Sequence, residues 1–228
     1  MRSRGQVQGT ARLLKQQVEA LQAWGLRELP VAATSGEESN AVALARLEQT
    51  VIACTRCPLY RTRTHHVFGS GDPEANLVFV GEAPGREEDL QGKPFVGAAG
   101  QLLTKMIEAI GLRREDVYIC NVLKDRPPAN RLPRPEEVDA CVPFLFQQLL
   151  IIHPNVICTL GAVAAKALLG PQVAISQVRG KLHRFERIPV IPTFHPAYLL
   201  RNPPAKRVVW QDLKQVKRLL EETTASPD

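Results

Sequence analysis

Four short apolar runs recur along the chain, and longer stretches with helical spacing lie between them. The apolar runs cover residues 77–80, 117–123, 156–160 and 188–194. Helical spacing is found over residues 41–53, 101–110, 135–152, 162–169 and 208–222. Strands that alternate with helices join into a parallel sheet, and uninterrupted apolar strands are typical of a sheet buried on both faces. The pattern predicts an α/β fold, a three-layer α/β/α sandwich around a central four-stranded parallel sheet.

The N-terminal part of the chain has a different character from the rest. Residues 1–40 contain one amphipathic helical pattern, over 11–26, followed by a small and polar stretch. We therefore expect residues 1–40 to form a helical or flexible arm and residues 41–228 to form one catalytic domain. No apolar run has the length of a membrane span, and the first residues lack the apolar core of a signal peptide. We expect a cytoplasmic, monomeric protein with no membrane partner.

The positive net charge of the chain is compatible with a negatively charged partner but does not identify that partner. The net charge is +6, while 44% hydrophobic residues exclude a wholly disordered chain. Basic residues are dense around the fourth apolar run, at Arg179, Lys181, Arg184, Arg187, Arg201, Lys206 and Arg207. Such a surface suits phosphate contacts, although a solvated basic face is the alternative reading.

Polar side chains follow three of the predicted strands. The first strand runs into the Gly-Glu-Ala-Pro-Gly segment 81–85, the second carries Asn121, and the fourth runs into His195. Ligands of parallel sheets bind beyond the carboxyl ends of the strands. There Glu82 can orient a water, the Asn121 amide can read a base edge, and His195 can stabilise developing negative charge. A solvated acidic loop, a turn amide and a structural histidine are the competing readings.

A glycine-flanked aromatic follows the acidic turn. Phe95 lies in the segment Gly-Lys-Pro-Phe-Val-Gly at 92–97. Its flat ring can stack on a base or a sugar, or it can fill the space under the loop. Chemistry alone favours neither reading.

The cysteines are odd in number, and the sequence lacks a secretory signal, which favours metal ligands or core thiols over disulfides. Cys54 and Cys57 have the spacing of metal ligands, and Cys141 follows far downstream. Thiolates in this arrangement suit an iron–sulfur cluster, and zinc held with His65 or His66 is also open. Two further cysteines lie inside predicted strands as buried thiols, namely Cys120 and Cys158.

Together these segments resemble the family 4 uracil-DNA glycosylases, the iron–sulfur type. The resemblance runs from about residue 47 to residue 220 and rests on several motifs in the same order. They are Cys54-x2-Cys57, the segment 81–85 with Glu88-Asp89, the segment 92–97, Asn-Val-Leu-Lys at 121–124, Arg-Pro-Pro at 126–128, and His-Pro-Ala-Tyr-Leu-Leu-Arg at 195–201.

The resemblance implies an enzyme that flips uracil out of single- or double-stranded DNA and hydrolyses its N-glycosidic bond, leaving an abasic site. Its uracil contacts would be Gly81, Glu82, Ala83, Phe95, Asn121 and His195. His195 would donate to the uracil oxygen that gains negative charge, and Glu82, or else Glu88, would position the water. The segment 197–201 would enter the minor groove, and its DNA contacts would be Leu199, Leu200 and Arg201.

The resemblance also implies a 4Fe–4S cluster. Cys54, Cys57 and Cys141 match three of its ligands, but Asp125 stands where the family has a cysteine. A carboxylate oxygen binds iron, yet it is a harder donor than a thiolate. A cluster with Asp125 as a ligand, a three-iron cluster and no cluster are all open.

The main alternative is a protein of the same superfamily that binds uracil-containing DNA without excising the base, or that bonds covalently to the abasic product. The chain lacks the basic, histidine-bearing insertion of the covalent type, which disfavours that form. A small zinc or iron–sulfur redox protein would leave the strand-end cluster without a purpose.

Overall fold

The computed structural model describes residues 38–225, so the predicted helix at 11–26 and almost all of the predicted arm lie outside the described residues. The strands are β1 (Ser70–Gly71), β2 (Leu77–Gly81), β3 (Tyr118–Asn121), β4 (Val156–Leu160), β5 (His183–Phe185) and β6 (Ile188–Thr193). They form one sheet in the order β1–β3–β2–β4–β6–β5. The central strands β3, β2, β4 and β6 run parallel, which confirms the predicted parallel sheet.

Two short antiparallel strands extend this sheet, and the sequence analysis missed both. β1 is only two residues long, and β5 has the sequence His-Arg-Phe, so neither contains an apolar run. β1 pairs with β3 and β5 pairs with β6. Short or charged strands are common at sheet edges because they discourage pairing with another chain.

Helices cover both faces of the sheet. They are α1 (Asn40–Ile52), α2 (Arg86–Gln91), α3 (Ala98–Ala109), α4 (Pro135–Ile152), α5 (Ala162–Leu169), α6 (Ile175–Val178), α7 (Pro196–Arg201) and α8 (Lys206–Ala225). The long helices match the predicted ranges to within three residues at each end, whereas α2, α6 and α7 are too short to show a helical period. No helix in the described range has the length and apolar character needed to span a membrane.

The two faces are distinguished by what packs on them. On one face, Leu103 of α3 and Leu213 of α8 lie in a buried cluster with Phe79 and Ile119 of the sheet. On the other face, Gln148 of α4 donates to the hydroxyl of Tyr118 in β3 at 3.4 Å, and α1 packs against α4. The three-layer α/β/α sandwich is therefore confirmed.

Register brings three strand ends together. Gly81, at the end of β2, is the direct partner of Asn121, at the end of β3. β6 ends at Thr193, two residues before His195, which caps the N-terminus of α7. Between them β4 ends at Leu160 and is followed by Gly161, whose φ of +93° suits glycine; a Cβ at position 161 would lie 3.1 Å from the Cβ of His195. The sheet thus delivers these groups to one edge.

Candidate active site

A cleft of about 440 Å³ opens at this edge of the sheet, within the size range of small-molecule sites. Its lining includes most of the side chains that the sequence analysis selected: Glu82, Ala83, Glu88, Phe95, Asn121, His195 and Arg201. The loop after β3 supplies a wall that the sequence analysis left without a role. The cleft therefore gathers groups from four separate stretches of the chain.

Asn121 carries an unsatisfied hydrogen-bonding atom. The residue is only 1% exposed, and its Oδ1 has no hydrogen-bond partner among the described residues. Buried polar atoms are almost always paired, and an unpaired one costs about 1–3 kcal/mol. Because Asn121 lines the cleft, a ligand that presents an N–H group there would recover this free energy.

Gly81 creates the space that the Asn121 amide occupies. A Cβ at this position would lie 2.3 Å from Oδ1 of Asn121 and 2.6 Å from Cε2 of Phe95. Both distances are far inside van der Waals contact, so any side chain at position 81 would displace one of these groups. The glycine is required for close approach.

Phe95 combines the two roles that the sequence left open. It is 6% exposed and belongs to the core cluster, yet it also lines the cleft. Its φ of +53° is uncommon for a bulky residue and costs about 1–3 kcal/mol. The surrounding structure supports this backbone, because the N–H groups of Val96 and Gly97 both donate to Oε1 of Glu88 at 2.9 Å.

Glu88 is already occupied by these bonds. Its second oxygen, Oε2, accepts a hydrogen bond from the N–H of Gly85 at 3.1 Å. The carboxylate therefore ties the turn that follows β2 to the loop that carries Phe95. This engagement makes Glu88 a positioning residue in this conformation.

Glu82 is in the opposite situation. It is half-buried at the cleft, and its carboxylate has no hydrogen bond to any residue between 38 and 225. Burial raises the pKa of this carboxyl group above its ordinary value. Of the two carboxylates that the sequence nominated, Glu82 is the one with oxygens available for a water.

His195 has a defined tautomer. The backbone N–H of Ala197 donates to its Nδ1 at 3.1 Å, so Nδ1 carries no proton. Burial, assisted by the charge of Arg201, lowers the pKa of His195 to about 4. The ring is therefore neutral near pH 7 and carries its single proton on Nε2, which makes Nε2 a hydrogen-bond donor.

The predicted DNA contacts in α7 divide into two kinds. Leu199 is 1% exposed and belongs to the hydrophobic core, so it packs inward, and its contact with DNA stays a prediction. Leu200 is 46% exposed, and Arg201 is exposed at the rim of the cleft. Adjacent residues on a helix point about 100° apart, so one leucine packs inward while its neighbour faces solvent.

A buried lysine supports the site from behind. The Nζ of Lys124 donates to the backbone oxygen of Asn121 at 2.7 Å and to Oε1 of Gln148 at 2.6 Å. Burial lowers the pKa of Lys124. Lys124 belongs to the motif at 121–124, but its supporting role could not be predicted, because a lysine in a loop gives no sequence signal of burial.

The cysteine region differs from the expected four-ligand set. Burial raises the pKa of Cys57, and the charges of Asp125 and Cys54 add to this rise, so the three groups are electrostatic neighbours. The N–H of Lys124 donates to Sγ of Cys141 at 3.3 Å. Burial raises the pKa of that thiol to about 12. Nevertheless, between residues 38 and 225, no group of three or more Cys, His, Asp or Glu side chains is arranged to hold a metal ion.

Asp125 is paired with a cation. Nη1 of Arg63 donates to both of its carboxylate oxygens at 3.1 Å, and Asp125 is 6% exposed. Three thiols suit iron–sulfur chemistry, but the fourth expected donor is bound to Arg63, so the set does not fit a four-ligand cluster. The histidines of the zinc alternative also have other partners: His65 contacts the backbone oxygen of Asp89, and His66 contacts Glu48.

Comparisons with known proteins identify the family of this chain. The Uracil DNA glycosylase superfamily matches residues 68–214. A Type-4 uracil-DNA glycosylase of Archaeoglobus fulgidus is 49% identical over 177 residues, which are 74% of this chain and 89% of the relative. A Type-4 uracil-DNA glycosylase of Thermotoga maritima is 49% identical over 178 residues, which are 76% of this chain and 93% of the relative. A Type-5 uracil-DNA glycosylase of Thermus thermophilus is 32% identical over 153 residues, which are 53% of this chain and 69% of the relative. The chain therefore belongs to the uracil DNA glycosylase superfamily, and it is more similar to these type-4 relatives than to the type-5 relative.

Proposed function

We propose that this uracil-DNA glycosylase excises uracil with Asn121 and Phe95 as the base-binding groups, His195 as the hydrogen-bond donor and Glu82 as the group that holds the water. The observation that carries this assignment is the unpaired Oδ1 of Asn121 in the same cleft as a neutral histidine. A base inside a duplex is out of reach, so the nucleotide must first be flipped into the cleft.

Asn121 supplies selectivity for uracil. Its Oδ1 would accept a hydrogen bond from N3–H of the base, and its amide N–H would donate to O4. Cytosine carries a lone pair at N3 and an amino group at C4, so both contacts would meet the wrong partner. Lys124 donates to the backbone oxygen of Asn121, so the backbone that carries this amide is held before the base arrives.

His195 supplies stabilisation of the leaving group. As the bond between C1′ and N1 breaks, its electron pair passes into the uracil ring, and negative charge gathers on O2. The Nε2–H of the neutral imidazole would donate to that oxygen. One preorganised donor of this kind contributes about 3–4 kcal/mol to transition-state stabilisation.

Glu82 completes the hydrolysis. Its carboxylate would orient a water toward C1′ and stabilise the cationic character of the sugar. The water oxygen forms the new bond to C1′ while its proton passes to the Glu82 carboxylate, and the uracil anion is later protonated by solvent. A raised pKa makes Glu82 a better proton acceptor than an ordinary surface carboxylate.

The DNA strand would be held by exposed groups near the cleft. In α7 the exposed residues Tyr198, Leu200 and Arg201 can reach DNA, and the exposed basic residues Lys181, Arg184 and Arg187 follow α6. We propose that the enzyme acts on both single- and double-stranded DNA as a monomer, since one chain supplies every assigned group. We also propose a cytoplasmic location, where the enzyme would meet its DNA substrate.

The cofactor is a separate proposal. We propose that Cys54, Cys57 and Cys141 hold an iron–sulfur group through three thiolates, while Asp125 stays paired with Arg63. Because no group of three such side chains within residues 38–225 is already arranged to hold a metal ion, binding of iron would have to draw these thiols together. To bind iron, Asp125 would have to leave Arg63 and strand a largely buried guanidinium. The assigned reaction steps involve none of these residues.

Excision is tested with a uracil-containing oligonucleotide under single-turnover conditions. We expect free uracil and an alkali-labile site in equal amounts, together with unmodified protein. Tight binding without release of uracil would support the non-excising alternative, and a protein–DNA adduct that survives denaturation would support the covalent one. Glu82→Gln should slow excision strongly in the same assay, while binding of uracil-containing DNA is retained.

A further inference from the structure

We propose that Leu132 is an apolar wedge that enters duplex DNA from the β3 side of the cleft. This inference rests on the proposed function and adds a contact that the resemblance did not include. Leu132 lines the cleft, and its 73% exposure is the highest of any large hydrophobic residue in the described range. An apolar side chain left in water at the mouth of a ligand cleft favours a ligand that covers it.

The loop that carries Leu132 and the helix α7 follow strands that are separated by two other strands in the sheet, so they reach the cleft from different directions. The loop follows β3 and α7 follows β6, and β2 and β4 lie between these two strands. Both elements contribute to the lining, and each presents one exposed leucine, Leu132 or Leu200. A duplex bound across the cleft can therefore meet an apolar side chain from each of the two elements.

The loop is held rigidly. Arg131 donates from Nη1 to Oε2 of Glu137 at 2.8 Å and from Nη2 to Oε1 at 2.6 Å, and Glu137 is fully buried. The backbone N–H of Arg134 also donates to Glu137, at 2.8 Å. Leu132 lies between these two arginines, so its backbone is fixed at both ends. A preorganised wedge loses little conformational freedom when DNA binds.

Backbone strain in the same loop supports a functional conformation. Ala129 and Asn130 are consecutive residues without the freedom of glycine, yet both have φ of +54°. Nε of Arg126 donates to Oδ1 of Asn130 at 2.7 Å and stabilises this shape. Strained residues persist where the surroundings over-determine them, and they cluster at binding sites.

The charged residues around Leu132 favour DNA as the partner. Arg126, Arg131 and Arg134 flank it in sequence. Arg131 is paired with Glu137, and the exposed Glu136 and Asp139 follow in α4, so Arg126 and Arg134 are the cations that can meet a phosphate beside Leu132. Proteins that kink DNA combine an apolar wedge, which separates stacked base pairs, with arginines that contact phosphates. The rim of a cleft that receives a flipped base is where such a wedge acts.

A wedge makes a specific prediction about substrates. Single-stranded DNA has no base pair to hold open, so Leu132 should matter only on duplex. It should matter less for a U·G mismatch than for a U·A pair, because the mismatched base is easier to extrude. A residue that merely contacts the flipped nucleotide would affect all three substrates equally.

The test compares Leu132→Ala with Leu150→Ala under single-turnover conditions. Leu150 is an equally simple control, because it is 54% exposed on α4 and does not line the cleft. We expect Leu132→Ala to lower the U·A duplex rate on the order of tenfold, with little change on single-stranded DNA and none in thermal stability. Leu132→Met should retain the duplex rate, whereas Leu132→Gln, of similar size but polar, should not.

A second measurement reads the wedge directly. Binding to a duplex with a 2′-fluoro-deoxyuridine lesion beside 2-aminopurine should raise the fluorescence in the wild type and Leu150→Ala but much less in Leu132→Ala. Equal losses on duplex and single-stranded DNA, or no loss with Leu132→Ala, would overturn the inference. The wild type reports separately on the proposed function, since failure to release uracil from either substrate would contradict excision itself.

Discussion

The ring of Phe95 lies against the imidazole of His195, with their centroids 5.5 Å apart and their planes inclined by 28°. The side chains that we assign to base stacking and to hydrogen-bond donation therefore form one packed unit. This contact contributes to the burial of His195, and burial is the main cause of its lowered pKa. The aromatic residue thus helps to keep the histidine neutral.

Removal of the histidine side chain should slow excision far more than it weakens binding of DNA. We expect His195→Ala to lower the single-turnover rate by about 10²- to 10³-fold, because one preorganised donor to the developing anion is lost. His195→Asn is the matched variant, since asparagine can still accept the hydrogen bond from Ala197 N–H that caps α7. Both variants should be slow. A fast His195→Asn enzyme would show that the cap, or an amide N–H in place of Nε2–H, is sufficient, and would contradict a specific need for the imidazole.

The pH dependence of excision should come from Glu82. Below its pKa this carboxyl group is protonated and cannot accept a proton from water, so the rate should fall as the pH falls. Burial raises that pKa, so the loss should begin at a higher pH than for an ordinary carboxyl group. His195, with a pKa of about 4, stays neutral throughout this range. A single-turnover pH profile checks this, and Glu82→Gln should abolish the acid limb; a limb that persists would assign it elsewhere.

A single methyl group at position 81 should damage the base-binding pocket. In Gly81→Ala the new Cβ would collide with Oδ1 of Asn121 and with the ring of Phe95. Displacement of a positioning group by about 1 Å can cost on the order of 100-fold in rate. Gly97→Ala is the control, because a Cβ there meets its nearest atom at an ordinary 3.5 Å. Comparable kcat/KM values for the two variants would contradict the proposed pocket.

DNA affinity should depend steeply on salt, by about −0.9 in a plot of log K against log salt for each phosphate contacted on duplex. Arg179 should contribute little, because it is paired with the buried Asp212. We expect Arg201→Ala to reduce the slope by about one. Arg113→Ala should leave it unchanged, since Arg113 pairs with Asp116 ahead of the amino end of β3. An affinity that does not vary with salt would contradict a phosphate-binding surface.

The strand-end geometry could be predicted because local signals agree with the global fold. Uninterrupted apolar runs identified the parallel strands, and Pro135 marked the start of α4, where its missing N–H costs nothing. Once the strands were parallel, Asn121 and His195 had to lie at the same edge. These inferences needed only short-range pattern and one rule of topology.

The roles of Glu82 and Glu88 could not be separated in this way. Both carboxylates belong to one acidic segment, and only the folded loop brings the N–H groups of Val96 and Gly97 to Glu88. For a related reason, the sequence does not predict that Leu199 points toward the core. A helix of six residues shows no period, so tertiary packing alone decides which leucine is buried.

The pairing of Arg63 with Asp125 joins residues 62 positions apart, and no local pattern announces it. It also gives the last prediction. If Asp125 pairs with Arg63 and does not bind iron, Asp125→Ala should leave the iron content of anaerobically prepared protein unchanged. The same substitution should lower the thermal stability of the protein. Asp125→Cys should raise the iron and sulfide content and slow the loss of iron in air, because a thiolate completes the soft ligand set.

Iron and sulfide analysis, with the visible absorbance spectrum, distinguishes the outcomes. Cys141→Ser is the control that removes an undisputed thiol, and it should lower the iron content in either background. Four irons per chain in the unaltered protein, lost in Asp125→Ala, would make Asp125 a cluster ligand and overturn the three-thiolate proposal. The absence of iron from both the unaltered and the Asp125→Cys proteins would mean that the chain has no iron–sulfur site. The loops would then depend on the Arg63–Asp125 pair and on the hydrogen bond from Lys124 N–H to Cys141.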